Sequence, residues 1–388
     1  MTSDVPASEP VLSVRDLSVR FPTRGGGAIT PVRGVDLDLR RGGRLGLVGE
    51  SGSGKSLTAL ALMRLIRPPG RVSGRLLMHG RNLLELPERQ MVRYRGSRIA
   101  MVYQNPMSAL NPVYTIGRQI AEAVRMAKPV SRRQAHSRAI ELLDEVGVPA
   151  AARRVDSYPH EFSGGMRQRV VIAMALAGEP DVVIADEPTT ALDVTTQARV
   201  IELLGSLADR HGLSVMLITH DLGVAATFCD DIHVMYAGRI VERADVHGFF
   251  GHQVHPYAEA LLSSVCGLDA RVDEPIPAVP GQPPLPGNLP PGCSFAPRCT
   301  ASTERCCVEV PVPVDLGGGR EAECLYATQR AGQHAGALGL GPAGGPAVGQ
   351  GGPVAAPESG LDPPETDEDP GKPASGAGLH ASEGSGRG

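Results

Sequence analysis

The sequence contains no tryptophan, and phenylalanine and tyrosine together supply only 3% of its 388 residues. No apolar run approaches the ~20 residues that a membrane-spanning helix needs, so no helical span is expected. The opening residues, Met1-Thr-Ser-Asp-Val-Pro6, lack the basic stretch and apolar stretch of a secretory leader. Neither charge dominates: 38 Lys and Arg stand against 42 Asp and Glu, a net charge of -4. That balance argues against a nucleic-acid-binding surface covering the whole protein. A cytosolic location is expected unless a partner holds the chain at a membrane. After Tyr326 there is no Ile, Met, Phe, Tyr or Trp. Such a stretch cannot bury enough apolar surface to offset its chain entropy, so 329–388 is expected to be a disordered tail.

The remainder is ordinary globular material, 41% hydrophobic and 21% charged, long enough for one large or two ordinary domains. Its most informative stretch is Gly49-Glu50-Ser51-Gly52-Ser53-Gly54-Lys55-Ser56. This fits G-x-x-x-x-G-K-[ST] at every fixed position. Glycines let successive backbone N–H groups face phosphate oxygens. Lys55 can reach the β- and γ-phosphates, and the Ser56 hydroxyl can ligate Mg²⁺. Arg44 to Val48 reads as a short buried strand entering the loop. A helix from about Ser56 to Leu65 leaves it and aims its positive dipole end at the same anion.

Around this loop the organisation is α/β. Residues 11–21 and 32–39 alternate apolar and polar positions across the Gly-rich turn at 24–27, which predicts an antiparallel strand pair. More short strands are expected over 75–103. A helical region follows from about 105 to 162, in which Ser131-Arg-Arg-Gln134 has capping-box form. The runs 182–185 and 215–218 read as central parallel strands buried on both faces, and 232–241 as a hairpin. From Pro275 to Pro291 the chain is a Pro/Gly linker that suits neither helix nor sheet.

Further residues narrow the chemistry. The strand Val182–Ala185 runs into Asp186 and Glu187. There one carboxylate can hold the Mg²⁺ shell and the other can polarise a water beside the γ-phosphate. Gln104 follows the strand ending at Tyr103 and can touch Mg²⁺. His220 ends the strand 215–219 and can bond the γ-phosphate. Ser163-Gly164-Gly165-Met166 opens an apolar helix with a good N-cap and bare backbone, a second anion-binding helix terminus. A chain with one phosphate loop uses a second clamp when two chains face each other and each closes on the other's nucleotide.

These stations, in this order, resemble the ATP-binding-cassette (ABC) ATPases over residues 11 to about 250. The resemblance implies a P-loop ATPase fold with a RecA-like core, an antiparallel β subdomain and a helical subdomain. It implies an ATPase domain over 11–255 behind a flexible N-terminus at 1–10. It also implies ATP contacts by Gly49, Glu50, Ser51, Gly52, Ser53, Gly54, Lys55, Ser56 and Leu57, with Phe21 stacking on adenine. Ser56, Gln104 and Asp186 would hold Mg²⁺, Glu187 would be the general base and His220 the switch histidine. Ser163, Gly164, Gly165 and Met166 match the LSGGQ signature, departing at Phe162 and Met166. With Asp193 of the Ala191-Leu-Asp193 loop, they would meet ATP from the opposing subunit.

A finer resemblance lies in Gln104 to Ile116, in Phe162 to Val170, in His255-Pro-Tyr257 and in Gly292-Cys-Ser-Phe-Ala-Pro-Arg-Cys299. These look like the ATP-binding subunit of the oligopeptide/dipeptide (peptide/nickel) ABC importers. That family implies two membrane permease subunits, a second ATPase subunit, an extracytoplasmic solute-binding protein and a peripheral place on the cytoplasmic membrane face. Peptides are the expected cargo, with nickel, glutathione or another small solute as alternatives. A soluble ABC ATPase and an ATP-binding subunit without hydrolysis are the rival classes. The intact Glu187 and His220 speak against the second.

Cys229 and Cys266 stand apart, whereas the other five cysteines fall between 293 and 324, within a C-terminal extension spanning 256–328. In a reducing compartment such a cluster more often binds metal than forms disulfides. Cys293, Cys299, Cys306 and Cys324 could ligate a [4Fe–4S] cluster or a tetrahedral zinc ion, or stay unligated. Members of the resembled family carry this pattern, and some are iron–sulfur proteins. Either Cys306 or Cys307 could be the third ligand.

Overall fold

The computed structural model describes residues 9–190, 192–264 and 279–337. Its strands are β1 (Pro10–Pro22), β2 (Ala28–Arg40), β3 (Arg44–Val48), β4 (Arg71–Met78), β5 (Arg81–Asn82) and β6 (Ile99–Val102), followed by β7 (Val182–Asp186), β8 (Ser214–Thr219), β9 (Asp231–Tyr236), β10 (Arg239–Asp245), β11 (Val314–Gly317) and β12 (Arg320–Ala322). Among the described residues they form two sheets. One is antiparallel, in the order β2-β1-β4-β5, and the other runs β11-β12-β10-β9-β3-β8-β7-β6.

The five strands β9-β3-β8-β7-β6 are parallel, and β10, β12 and β11 continue the sheet antiparallel. Alternation explains why the interiors of β7 and β8, 182–185 and 215–218, are apolar throughout. Val182, Ile184, Met216 and Ile218 enter one core, shared with the antiparallel sheet and the helix Lys55–Leu62. Val183, Ala185, Val215 and Leu217 enter the other, shared with the helices Gly164–Leu176 and Val194–His211. Side chains of a strand point to opposite faces, so a sheet covered on both sides needs apolar residues at every position.

The antiparallel pair, the hairpin at 231–245 and the helical region are present where expected. That region comprises Pro106–Ala109, Ile116–Ala127, Arg132–Glu145 and Ala151–Arg154. Ser131 caps the third of these with a complete capping box. The stretch 75–103 also holds a helix, Glu88–Tyr94, where only strands were expected. The phosphate-loop helix stops at Leu62, short of Leu65, because Arg64 turns left-handed at φ 52°.

The expected tail at 329–388 needs correction at its start, since Ala327–Ala337 is a helix. Alanine has the highest helix propensity, so its scarcity of large apolar residues does not forbid a helix docked on the fold. Arg330 fastens it by donating from Nε to the Val254 carbonyl at 2.7 Å and by pairing with Glu259. Residues 338–388 lie outside the described residues, as do 1–8, Ala191, Cys266 and the first part of the linker, 275–278. The remaining linker, 279–291, carries neither helix nor strand.

Candidate functional site

The parallel strands carry the expected stations to one rim. The phosphate loop leaves β3, Gln104 follows β6, Asp186 and Glu187 end β7, and His220 follows β8. The crevice outside the carboxyl ends of such strands is where open α/β sheets bind ligands. A cavity of about 450 Å³ opens there, lined by the phosphate loop together with Gln104, Glu187 and His220.

Two glycines explain the loop's composition. Gly49 sits at φ 150°, and a Cβ on it would stand 2.3 Å from the Met235 carbonyl oxygen. Gly54 sits at φ 111°, and its Cβ would fall 2.8 Å from the Pro31 oxygen. Between them the loop bends back on Lys55, which is only 5% exposed. Its ammonium donates to the Gly49 and Glu50 carbonyl oxygens at 2.7 and 2.9 Å. Burial lowers the Lys55 pKa, against the pull of Glu187, Asp186 and Glu50.

Ser56 Oγ donates to Asp186 Oδ1 at 3.0 Å. Burial raises the Asp186 pKa and Glu187 adds to the rise, while the Ser56 bond opposes it. Glu187 leaves the strand in a left-handed conformation, φ 45°, uncommon for a residue with a side chain. Its carboxylate accepts from Gln104 Nε2 at 2.9 Å and from Thr190 Oγ1 at 2.9 Å, and His220 Nδ1 lies 3.3 Å away. Thr190 was not singled out in the sequence. A hydroxyl three residues beyond an acidic residue is too common a pattern to stand out.

The cavity lining does not include Phe21, which sits near the end of β1 opposite Ile29 and borders Gly70. It also does not include Ser163, Gly164, Gly165, Met166 or Asp193 of the same chain. Ser163 caps the helix Gly164–Leu176, accepting from the Met166 N–H at 3.4 Å. Asp193 caps Val194–His211, accepting from the Thr196 N–H at 3.0 Å. These two caps meet: a Cβ on Gly165 would lie 2.5 Å from Thr196 Cγ2, so only glycine fits. Ser163 and Gly164 are exposed.

The cysteine cluster gathers around a separate cavity. Cys293, Cys299, Cys306 and Cys324 line one cavity of about 310 Å³, beside Tyr326 and Arg330. Cys307 does not line it; the residue is exposed and its thiol donates to the Thr303 carbonyl at 3.7 Å. Burial pushes the Cys293 thiol up to about 11 and raises Cys299 and Cys324, with neighbouring thiols adding to each rise. A bound cation would reverse that repulsion. Among the described residues no three His, Cys, Asp or Glu side chains are grouped to hold a single ion. A tetrahedral zinc ion needs all four sulfurs about 2.3 Å from one point, so the thiols do not stand as a ready zinc site.

Residues 32–190 match the ABC transporter family model, and residues 241–306 match the oligopeptide/dipeptide transporter C-terminal region. A putative peptide import ATP-binding protein of Brucella abortus is 50% identical over 81% of this chain and 94% of its own length. The chain belongs to the ATP-binding subunits of the oligopeptide/dipeptide ABC transporter family. An oligopeptide transport ATP-binding protein OppD of Haemophilus influenzae is 43% identical, covering 83% of this chain and 98% of that one. The ATP-binding cassette whose structure was solved as a dimer in a post-hydrolysis state with ADP and phosphate has 26% identity and a TM-score of 0.54. That alignment covers 61% of this chain and 98% of the solved one. As an ABC transporter subunit the chain is an ATPase, and the rim of β3, β6, β7 and β8 is where its site stations gather. No helix among the described residues is long and apolar enough to cross a membrane.

Proposed function

We propose that this ABC ATPase energises peptide import, working as a peripheral subunit on the cytoplasmic face of two membrane permease subunits fed by an extracytoplasmic solute-binding protein. The observation that carries the ATPase chemistry is the clasp on Glu187. Gln104, Thr190 and His220 converge on its carboxylate at the mouth of the phosphate-loop cavity. The C-terminal family match and the names of the relatives support peptides as the cargo.

In this reading Lys55 exchanges its two carbonyl partners for the β- and γ-phosphates. The loop N–H groups and the helix terminus at Lys55 hold the remaining phosphate oxygens. Glu187 takes the proton of the attacking water, oriented by Gln104 and His220. Ser56, Gln104 and Asp186 would hold Mg²⁺. When bound, that ion neutralises phosphate charge and lowers the Asp186 pKa. Phe21 would meet the adenine. A second ATPase subunit, this chain or a paralogue, would contribute Ser163, Gly164, Gly165, Met166 and Asp193 to complete the site. The exposure of Ser163 and Gly164 supports this arrangement.

Cys293, Cys299, Cys306 and Cys324 would hold a [4Fe–4S] cluster. Their shared cavity supports this set, and the outward position of Cys307 favours Cys306 as third ligand. Such a group would staple the extension to the fold. The decisive experiment is ATP-dependent uptake of a labelled oligopeptide into vesicles that contain the chain and the permease subunits co-purified with it. Peptide uptake supports the reading. Robust ATP hydrolysis with uptake of nickel or glutathione alone would replace the cargo, and recovery of ribosomes in place of membrane subunits would replace the role.

A further inference from the structure

The Cys-rich extension touches the phosphate loop directly. Arg298, between Pro297 and Cys299, is 6% exposed. Its guanidinium grips Glu50 with both prongs, Nη1 to Oε2 at 2.7 Å and Nη2 to Oε1 at 2.9 Å. The side chain is fixed from behind, since Nε donates to the Pro280 carbonyl at 2.6 Å and Nη2 to the Val279 carbonyl at 3.3 Å. The guanidinium also lies over the Tyr236 and Phe295 rings, 5.8 and 6.0 Å from their centroids. These rings meet Tyr257, with centroids 4.5 Å from Tyr236 and 5.4 Å from Phe295. In a chain with thirteen aromatic residues of the Phe and Tyr types, three are gathered behind one arginine.

Tyr257 makes a second contact to the same loop residue, accepting the Glu50 N–H on its hydroxyl at 2.8 Å. The Glu50 carbonyl in turn accepts from Lys55 Nζ at 2.9 Å and from the Ser53 N–H at 3.2 Å. Glu50 is thus held by its carboxylate and its N–H from the extension, and it holds Lys55 through its carbonyl. The loop carries glycines at 49, 52 and 54, whose wide backbone freedom makes such fixing contacts matter.

We propose that Arg298 is a positioning residue for the phosphate-binding loop. It sets Glu50, and through Glu50 the place from which Lys55 and the loop N–H groups meet the triphosphate. This rests on the ATP-site reading above. A pre-set loop loses less conformational freedom when ATP binds, so the clamp contributes to affinity as well as to fold. The bidentate geometry is specific to arginine. A lysine offers one compact charge in place of a planar fork.

The test is equilibrium ATP binding and steady-state hydrolysis by the full-length chain. Arg298→Met keeps the aliphatic stem and removes the fork, and Glu50→Gln removes the charge it grips. Each is expected to weaken ATP binding about tenfold, the equivalent of losing one net charge-assisted contact. KM should rise more than kcat falls. The double variant should be no weaker than either single one, because both remove the same contact. Arg298→Lys should recover only part of the loss. Arg15→Ala, which breaks an exposed pair with Asp38, should leave ATP affinity unchanged. Singles that bind like the parent, or effects that add in the double variant, overturn the inference. If Arg298→Met does not fold, Glu50→Gln alone decides it, and unchanged affinity there is equally fatal. A parent chain that binds no ATP would sink the ATP-site reading itself. A parent that binds while the variants bind equally well sinks only the role of Arg298.

Discussion

The Gln104 amide donates to Glu187 Oε2 across 2.9 Å, joining residues 83 positions apart in the chain. The bond links the end of β6 to the end of β7, and Thr190 and His220 approach the same carboxylate. A side chain with so many orienting neighbours is placed for a task that depends on direction. Glu187→Gln keeps the shape and removes the basicity. ATP binding should stay intact while turnover falls about 10²–10⁴-fold, the usual contribution of a positioned base. Hydrolysis at the parental rate would remove Glu187 from the mechanism.

Ser163 has a local role and a proposed distant one, and they can be separated. Ser163→Ala removes the oxygen that accepts the Met166 N–H, which should cost about 1 kcal/mol of stability. Thermal unfolding reads that loss. If the serine also meets a partner's nucleotide, hydrolysis should collapse at temperatures where the variant is fully folded, while ATP binding by the isolated subunit persists. A hydrolysis loss no larger than the folded fraction explains would leave Ser163 with only its cap.

His255 gives a pH signature. Burial pushes its pKa down to about 3, and Arg330 pushes in the same direction. An unfolded histidine titrates near 6.5. Between these values the unfolded chain binds the proton and the folded one does not, so this contribution is intact above about pH 6.5 and lost as pH falls toward 3. The slope approaches about 1.4 kcal/mol per pH unit. His255 Nδ1 accepts the Tyr257 N–H at 3.0 Å, a bond that asparagine can imitate. His255→Asn should therefore flatten the fall in melting temperature between pH 6.5 and 5, and an equally steep fall would contradict this assignment.

Cys306 and Cys307 are neighbours with opposite surroundings. Cys306 is 8% exposed and faces the shared cavity, while Cys307 is exposed. After anaerobic purification the parent should carry iron and inorganic sulfide in equal amounts. Cys307→Ser should keep both, and Cys306→Ser or Cys324→Ser should lose them. Iron-free parental protein with all its cysteines reduced would dismiss the cluster.

Glu242 is 2% exposed and accepts the Val254 N–H at 3.0 Å and the His255 N–H at 2.7 Å. Glu242→Ala would leave those buried donors without a partner and Arg320 without its countercharge. A loss of about 3–5 kcal/mol is expected in denaturant unfolding, as for other broken buried pairs. A loss below 1 kcal/mol would mean that water replaces the carboxylate.

The parts legible beforehand are those in which one segment carries its own explanation. Gly49 to Ser56 announce a phosphate loop because only glycine tolerates the approach of Met235 and Pro31 backbone oxygens. The runs into Asp186 and His220 read as buried strands because a sheet covered on both faces leaves no polar positions. What escaped notice depends on distant partners. Nothing around Glu50 signals Arg298, 248 positions later, and the family marks that contain Tyr257 and Arg298 do not reveal that both side chains meet Glu50. The strands β11 and β12 are too short to show a period, and alanine content hid the helix Ala327–Ala337.

The pairing of Glu242 with Ala322 and of Arg243 with Glu321 means that the last strands finish a border begun by β10. Trimming the chain after the helix Pro256–Ser263 would strip that border and leave β10 offering unpaired peptide groups to any passing strand. A shortened cassette should therefore be harder to keep monodisperse than the 388-residue chain. The C-terminal residues 314–322 thus shield a sheet edge that the cassette alone would leave open.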